Sequence, residues 1–186
     1  DPNGGETMSS QPVTTHREED VIRLPEGLVG LPKLQRWVLT EMDPPMPLKW
    51  LQSLDRPGFR IPMTDPVYFD PGYAFELDDR AEKMLDGPRA EDLVVMVVTT
   101  IHAGGERITG NMTAPVVVNV NSRKGLQCIL SDLNYSLHHE IDYVRFGNDI
   151  AALEADDGIV DPVDAGDISP QEDPCAENQE QLLVKT

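Results

Sequence analysis

Leu93–Leu130, LVVMVVTTIHAGGERITGNMTAPVVVNVNSRKGLQCIL, is the stretch of sequence that decides the fold. Valine, isoleucine and threonine dominate it, and their branching at Cβ suits a pleated strand better than a helix. Two turns interrupt it. Gly104-Gly105 can supply the positive φ angles of a tight hairpin, and residues 121–125 end in glycine like a longer hairpin loop. The stretch therefore predicts a meander of antiparallel strands at 93–101, 107–112, 115–120 and 126–130.

The segments upstream of the meander add shorter strands and one helix. Apolar runs between proline- and glycine-rich turns predict strands at 21–24, 35–42, 48–54 and 59–63. Pro62 predicts that the last of these lies at an edge or a bulge, because proline cannot donate a ladder hydrogen bond. Residues 78–85 open with acids and stop before a glycine, which predicts a short helix. The fold class is therefore mainly β, a small antiparallel β-barrel or a strongly bent sheet with one short helix.

The chain of 186 residues has room for one folded domain, which we place at residues 21–147. Residues 1–20 are polar and lack periodicity, so they are predicted to be a disordered amino-terminal segment. Met8 is a candidate natural start, in which case residues 1–7 are an appended remnant. Residues 148–186 are acidic, and we predict that they form a disordered tail.

Acidic residues dominate the charge of the chain, whose formal net charge is −18. Residues 148–186 carry eleven acids against Lys185 alone, which is −10 of that total. Such a chain repels nucleic-acid phosphates and anionic membrane surfaces, and it favours basic partners. The sequence has two cysteines, no apolar signal segment and no apolar run near the roughly 20 residues that span a bilayer. These features predict a protein of the reducing cytoplasm.

No pattern in the chain is typical of catalysis or of cofactor binding. The adjacent His138 and His139 lack the i, i+4 spacing of a helical zinc site. Cys128 lies in an apolar run, which is typical of a small buried side chain rather than a reactive thiol. We therefore expect a binding protein that is not an enzyme and needs no cofactor or metal. The alternative is a β-barrel enzyme or small-ligand carrier, which a roomy interior pocket with converging polar groups would favour.

Several segments together resemble the FliW flagellar assembly factor family. They are residues 24–30 (LPEGLVG), 50–55 (WLQSLD), 65–66 (DP) with the aromatic loop that follows, 91–93 (EDL), 113–119 (TAPVVVN) and 123–125 (RKG). Their order and spacing cover roughly residues 21 to 140. The combination of WLQSLD and APVVVN in this order is the most specific part of the resemblance.

The resemblance implies a cytoplasmic, non-enzymatic β-barrel protein of bacterial flagellum biogenesis. Such a protein binds flagellin as a chaperone does, and it antagonises the RNA-binding translational regulator CsrA. Accumulated flagellin would occupy the protein and leave CsrA free to repress flagellin mRNA, whereas export of flagellin would release the protein to bind CsrA. Flagellin level would thereby control translation of flagellin mRNA. We expect a monomer when the protein is free, with no direct contact to nucleic acid or membrane.

Each implied partner requires a different kind of surface. Flagellin has apolar terminal segments that are unfolded before assembly, so its binder needs an exposed apolar groove or a free strand edge. Candidate flagellin contacts are Pro62, Val67, Tyr68, Phe69 and Tyr73. CsrA binds RNA through basic surface, which acidic side chains can meet by charge complementarity. Candidate CsrA contacts are Asp65, Asp70, Asp78, Asp79, Asp149, Glu154, Asp156 and Asp157.

Overall fold

The structure is a computed structural model that describes residues 16–131, 134–156 and 184–185. The strands are β1 Ile22–Arg23, β2 Arg36–Glu41, β3 Lys49–Ser53, β4 Arg60–Thr64, β5 Phe75–Glu76, β6 Leu93–Ile101, β7 Ile108–Gly110, β8 Val116–Asn119, β9 Gly125–Gln127, β10 His139–Glu140 and β11 Val184–Lys185. The helices are α1 Asp79–Met84 and α2 Tyr143–Asp156, with 3-10 turns at Glu18–Asp20, Pro66–Tyr68 and Ala90–Asp92. Within the described ranges, no helix is long and apolar enough to cross a membrane.

One antiparallel sheet contains nine of these strands, and β6 lies at its centre. The order of neighbours is β1-β2-β3-β4-β6-β7-β10; β8 also pairs with β6, and β9 pairs with β8. The amino end of β6, Leu93–Met96, pairs with β8, and its carboxyl end pairs with β7. Between them, Val98 is the register partner of Met63 on β4. Because β6 pairs with three strands, the sheet curls strongly into a half-barrel.

Side chains fill the space around the central strands in two apolar clusters. Val117 belongs to the cluster that contains Tyr73, whereas Val116 and Val118 belong to the cluster that contains Trp37. All four residues of β8 are buried, so this strand is covered on both faces. A strand covered on both faces has no polar side to alternate with, which explains its three consecutive valines.

The predicted fold class and the predicted strands are confirmed. β6 has its predicted bounds, and the other predicted strands agree to within a few residues. The predicted helix is α1, capped by Asp78, whose Oδ1 accepts the N–H of Ala81 at 2.7 Å. Of the edge or bulge that Pro62 predicts, the edge is wrong, because β4 lies inside the sheet between β3 and β6. Its ladder with β6 begins at Met63, however, so Pro62 withdraws no hydrogen bond from that ladder.

The sequence predicts one helix, whereas the described residues form a second helix, α2. Asp142 caps it, since its Oδ1 accepts the backbone N–H groups of Val144 and Arg145 at 3.0 and 3.2 Å. Phe146 is buried in the core, and Ile150, one turn later, packs against the same cluster. The predicted domain boundary at residue 147 therefore lies inside a helix. The remaining tail and the amino-terminal segment fall largely on residues 157–183 and 1–15, which lie outside the described residues.

Candidate functional site

An apolar cleft with a volume of about 370 Å³ opens beside the turn that carries Tyr68. Three methionines, Met46, Met63 and Met96, line it. Its other lining residues are Leu39, Glu41, Pro47, Lys49, Thr64, Asp65, Tyr68, Val94 and Val95. We call this feature the methionine cleft. Methionine is unbranched and polarisable, so a cleft of this composition can adapt to apolar side chains of different shapes.

The register of the sheet brings the lining residues together. Glu41, Lys49 and Met63 are successive register partners across β2, β3 and β4. Lys49 Nζ donates to Glu41 Oε1 at 2.5 Å, and both side chains are largely exposed, so the pair contributes little to stability and forms a charged rim. On β6, Val94 is 41% exposed beside the buried Met96. The cleft therefore has an apolar floor and a polar edge.

Asp65 fixes the turn at the edge of the cleft. It precedes the 3-10 turn Pro66–Tyr68, and its Oδ1 accepts the N–H of Val67 at 2.9 Å. Burial raises the pKa of Asp65, while the hydrogen bond from Val67 and the positive charge of Arg145 oppose that rise. The carboxyl group therefore holds the turn in place, and this role is independent of any partner.

Tyr68 connects the cleft to α2. Its hydroxyl donates to Asp149 Oδ2 at 2.6 Å, and its ring meets Phe146 edge-on, with the centroids 5.9 Å apart. The backbone N–H of Asp142 donates to the carbonyl of Tyr68 at 2.7 Å. Burial, followed by the bond to Asp149, raises the pKa of Tyr68, so the phenol stays protonated and remains a donor. Helix α2 thereby holds one wall of the methionine cleft.

The predicted flagellin contacts of the aromatic loop separate into surface and core. Tyr68 lines the methionine cleft, and Val67 is half-buried in the same turn. Phe69 and Tyr73 are only 6% and 1% exposed, so they anchor the loop in the core. The Tyr73 hydroxyl donates to the carbonyl of Met112 at 2.8 Å. A partner at this loop would therefore contact Tyr68 and Val67.

Pro62 lies apart from the cleft. Its register partner on β3 is Trp50, over whose ring the Arg60 guanidinium lies, 4.2 Å from the centroid. Successive residues of a strand face opposite sides of a sheet, so Pro62 and Met63 are on different faces. Pro62 is therefore not among the residues that line the methionine cleft with Tyr68.

Half of the predicted CsrA contacts have roles in local structure. Asp65, Asp70 and Asp78 each accept a backbone N–H group in a turn or at a helix start. Asp149 accepts the hydroxyl of Tyr68. Each of these four carboxylates therefore has a structural explanation that requires no partner.

Of the other four predicted CsrA contacts, two can be described by their side chains. Asp79 and Glu154 are exposed, and neither side chain forms a hydrogen bond or ion pair with another described residue. Asp156 is the last residue of α2, and Asp157 lies outside the described residues. The predicted acids within the described residues are thus distributed over residues 65–70, α1 and α2.

Nearby bases balance the acids around α1 more fully than those on α2. Arg80 pairs with Glu26, and Lys124 Nζ lies 2.7 Å from Asp86 Oδ1. The pKa of Asp86 is lowered, mainly by the hydrogen bond from Lys124. Helix α2 contains three acids and one base, Arg145, and residues 157–183 add eight acids and no base. Unbalanced negative charge is therefore concentrated at α2 and in the sequence that follows it.

A larger groove, of about 680 Å³, lies between residues 26–32, the start of α1 and β9. Several of its polar side chains are engaged, because Arg80 pairs with Glu26 and the Gln127 amide bonds to two backbone groups. Burial raises the pKa of the Cys128 thiol to about 11, which keeps it protonated at neutral pH. In the part of the chain that the structure describes, no three His, Cys, Asp or Glu side chains are grouped to hold a metal. The groove thus offers little support for the ligand-carrier alternative.

The methionine cleft is not predicted by any pattern in the sequence. Met46, Met63, Met96 and Val94 come from three separate segments, and only the tertiary fold brings them together. No spacing in the sequence indicates that these residues share a cleft, since each is an ordinary apolar residue of its own strand or loop.

Comparisons with known proteins agree with this fold. A sequence model of the family described as FliW protein matches residues 8–141. The flagellar assembly factor FliW of Caldanaerobacter subterraneus subsp. tengcongensis is 34% identical over 127 residues, which are 68% of this chain and 85% of that protein. The FliW of Treponema denticola is 30% identical over 125 residues, 67% of this chain and 84% of that protein.

A solved structure supports the same assignment. The crystal structure of a flagellar assembly factor FliW superposes with a TM-score of 0.63 at 29% identity, covering 68% of this chain and 88% of that one. The half-barrel is therefore shared in backbone geometry as well as in sequence. The chain belongs to the FliW family of flagellar assembly factors.

Proposed function

We propose that this protein binds an apolar segment of flagellin in the methionine cleft, binds CsrA at the acidic surface of α2, and carries one partner at a time. The methionine cleft is the observation that carries the proposal. Binding of an unassembled apolar partner requires an exposed apolar surface, and the methionine cleft is suited to that role. The protein would then act in the cytoplasm as a non-enzymatic regulator of flagellin translation.

The shape of the methionine cleft favours a few side chains from an amphipathic helix. A volume of about 370 Å³ is near the lower end of ligand pockets, too small for a whole helix but sufficient for apolar residues from one of its faces. The charged rim of Glu41 and Lys49 lies where the polar flank of such a helix would run. Adaptable methionines permit these contacts without a single rigid fit.

Val94→Asp is expected to weaken flagellin binding roughly tenfold, which corresponds to about 1.4 kcal/mol. The substitution places a carboxylate in the apolar wall of the methionine cleft, and binding would have to strip water from it. Because Val94 is 41% exposed, the fold tolerates the change. Titration calorimetry with purified flagellin measures the difference.

Ile101→Asp is the matched control for this experiment. Ile101 lies on the same strand, β6, and is also 41% exposed, but it does not line the methionine cleft. Its variant should bind flagellin as the wild type does. Equal affinities for all three proteins, or equal losses in both variants, would remove the methionine cleft as the flagellin site.

The acidic surface of α2 supports the CsrA part of the proposal. Charge complementarity with a basic RNA-binding surface increases the association rate and the specificity more than the final affinity. The acids of α2 suit this role better than those of α1, because ion pairs with Arg80 and Lys124 neutralise two acids near α1. Glu154 is exposed and has no ion-pair partner among the described residues.

Glu154→Lys is expected to slow association with CsrA about fivefold at low ionic strength, and the difference should shrink as salt is added. Stopped-flow or surface-based kinetics at several salt concentrations measure it. Asp79→Lys makes the same change of charge on α1 and should have a smaller effect. If CsrA associates at a rate that neither salt nor Glu154→Lys alters, the acidic surface of α2 is not its binding site.

A further inference from the structure

Strand β5 is extended backbone that the nine-stranded sheet does not use. Among the described residues it pairs with β11 alone, in a separate two-stranded sheet. β5 is firmly placed, because Phe75 and the following Leu77 are buried in the core cluster that contains Tyr73. Immediately before it, the Tyr135 hydroxyl accepts the N–H of Ala74 at 3.1 Å and donates to its carbonyl at 2.9 Å. The edge of β5 is therefore short and rigid, and its backbone groups are in position for a second strand.

The strand on this edge, β11, comes from the far end of the acidic sequence. Residues 157–181 carry eight acids, no base and no run of more than two apolar residues. Residues 182–185 (LLVK) then place three apolar residues before the only base of residues 157–186. The pairing is parallel, with Val184 as the register partner of Phe75 and Lys185 as that of Glu76. The register thus sets apolar against apolar and base against acid, and no other stretch of residues 157–186 has that order.

The attachment of β11 is short. It contributes two residues, in a parallel ladder that is slightly less stable per residue than an antiparallel one. An edge pairing of this length opens at a low cost in free energy, whereas the buried Phe75 holds β5 in the core. β11 can therefore leave without loss of the fold, and the edge that it leaves is open to another extended segment.

We propose that β5 is an acceptor for strand addition and that β11 of the same chain occupies it as a displaceable strap. Backbone hydrogen bonds attach the strap, and the order of apolar residues followed by a base selects the segment. The strap ties the acidic sequence after α2 back to the folded body, beside the groove that Glu76 and Leu77 line. Release of the strap frees both the acidic sequence and the edge. Neither flagellin nor CsrA is needed for this pairing, and β11 lies outside the residues 8–141 that match the family.

Disulfide trapping in the full chain tests the pairing. Glu76→Cys and Lys185→Cys are combined with Cys128→Ser and Cys175→Ser, so that one disulfide can form. Register partners on neighbouring strands lie within the Cα separation of about 4.4–6.8 Å that a disulfide requires. At equilibrium with glutathione, the crosslinked fraction gives the effective concentration of the two thiols. We expect it to be about tenfold higher than for the control pair Glu41→Cys and Lys185→Cys, because Glu41 is an equally exposed glutamate on the other sheet.

A competing peptide tests whether the strap can be displaced. A synthetic peptide of residues 180–186 (EQLLVKT), added at millimolar concentration, should slow crosslinking about twofold because it occupies the same edge. A peptide of the same composition in scrambled order should leave the rate unchanged. Equal effective concentrations for the two cysteine pairs, or a crosslink that forms only between two chains, would overturn the pairing of β11 with β5 of its own chain. A crosslinking rate that the peptide does not alter would overturn its displacement.

Discussion

Gly110→Ala is expected to lower the free energy of unfolding by about 2 kcal/mol, and the melting midpoint by roughly 4–8 °C. A Cβ atom on Gly110 would lie 2.6 Å from Cζ of Phe69, closer than carbon atoms approach. Phe69 is buried in a packed core, so its ring has no free space to occupy. Phe69 directly follows the turn Pro66–Tyr68, so displacement of its ring should also weaken the flagellin binding that we propose.

Gly147→Ala is the control for this prediction, and its expected effect has the opposite sign. Gly147 lies inside α2, and a Cβ atom there would meet nothing within 4 Å. Alanine favours a helix over glycine by about 1 kcal/mol, so this variant should be neutral or slightly more stable. Thermal unfolding followed by circular dichroism compares the three proteins. A Gly110→Ala variant that melts with the wild type would show that Phe69 can repack at low cost.

Asn119→Asp is expected to lower the free energy of unfolding by about 3 kcal/mol at neutral pH. Asn119 is 5% exposed at the end of β8. Its Nδ2 donates to the carbonyl of Leu85, the C-cap of α1, at 2.8 Å, and its Oδ1 accepts the N–H of Asn121 at 2.9 Å. The substitution keeps the acceptor, removes the donor and buries a charge against a carbonyl oxygen. Helix α1 would lose the hydrogen bond that joins its carboxyl end to β8.

The effect of Asn119→Asp should depend on pH. Burial raises the pKa of the introduced carboxyl above its ordinary value of about 3.9, and only its protonated form can donate to Leu85. The loss of stability is therefore smallest below about pH 4, and it grows as the pH rises through the raised pKa of the folded state. Urea unfolding at several pH values measures this dependence.

Asn111→Asp is the control for the lost donor. Among the described residues, the side chain of Asn111 forms hydrogen bonds through Oδ1 alone. This atom accepts the N–H and the hydroxyl of Thr113 at 3.2 and 2.9 Å. An aspartate can keep both bonds, so the variant should lose little stability. Equal losses at the two positions would attribute the effect of Asn119→Asp to added negative charge in general.

The strands were predictable because their chemistry is local. Residues 93–101 are β-branched almost throughout, and turn residues bound the neighbouring strands. Strand propensity and turn positions therefore indicate the same strands. Helix α2 does carry a signal, since Asp142 stands at its cap and Phe146 and Ile150 are four residues apart. Gly147 and the acidic composition obscure that signal, because both are typical of a loop or tail.

The candidate site was less predictable because it depends on which side of a turn each residue faces. Tyr68 and Phe69 are adjacent aromatic residues, yet Tyr68 lines the methionine cleft and Phe69 lies in the core. The 3-10 turn that Asp65 caps decides this difference. The methionines are joined only by strand register, which depends on contacts between residues far apart in sequence.

The position of β4 inside the sheet also has a consequence while the chain is being synthesised. Until Val98 has left the ribosome, β4 has no partner on its far side, and its edge is open to pairing with other nascent chains. Pro62 removes one backbone donor in the middle of that edge. We therefore expect Pro62, which takes no part in the finished ladder with β6, to make the open edge of the unfinished chain less prone to aggregation.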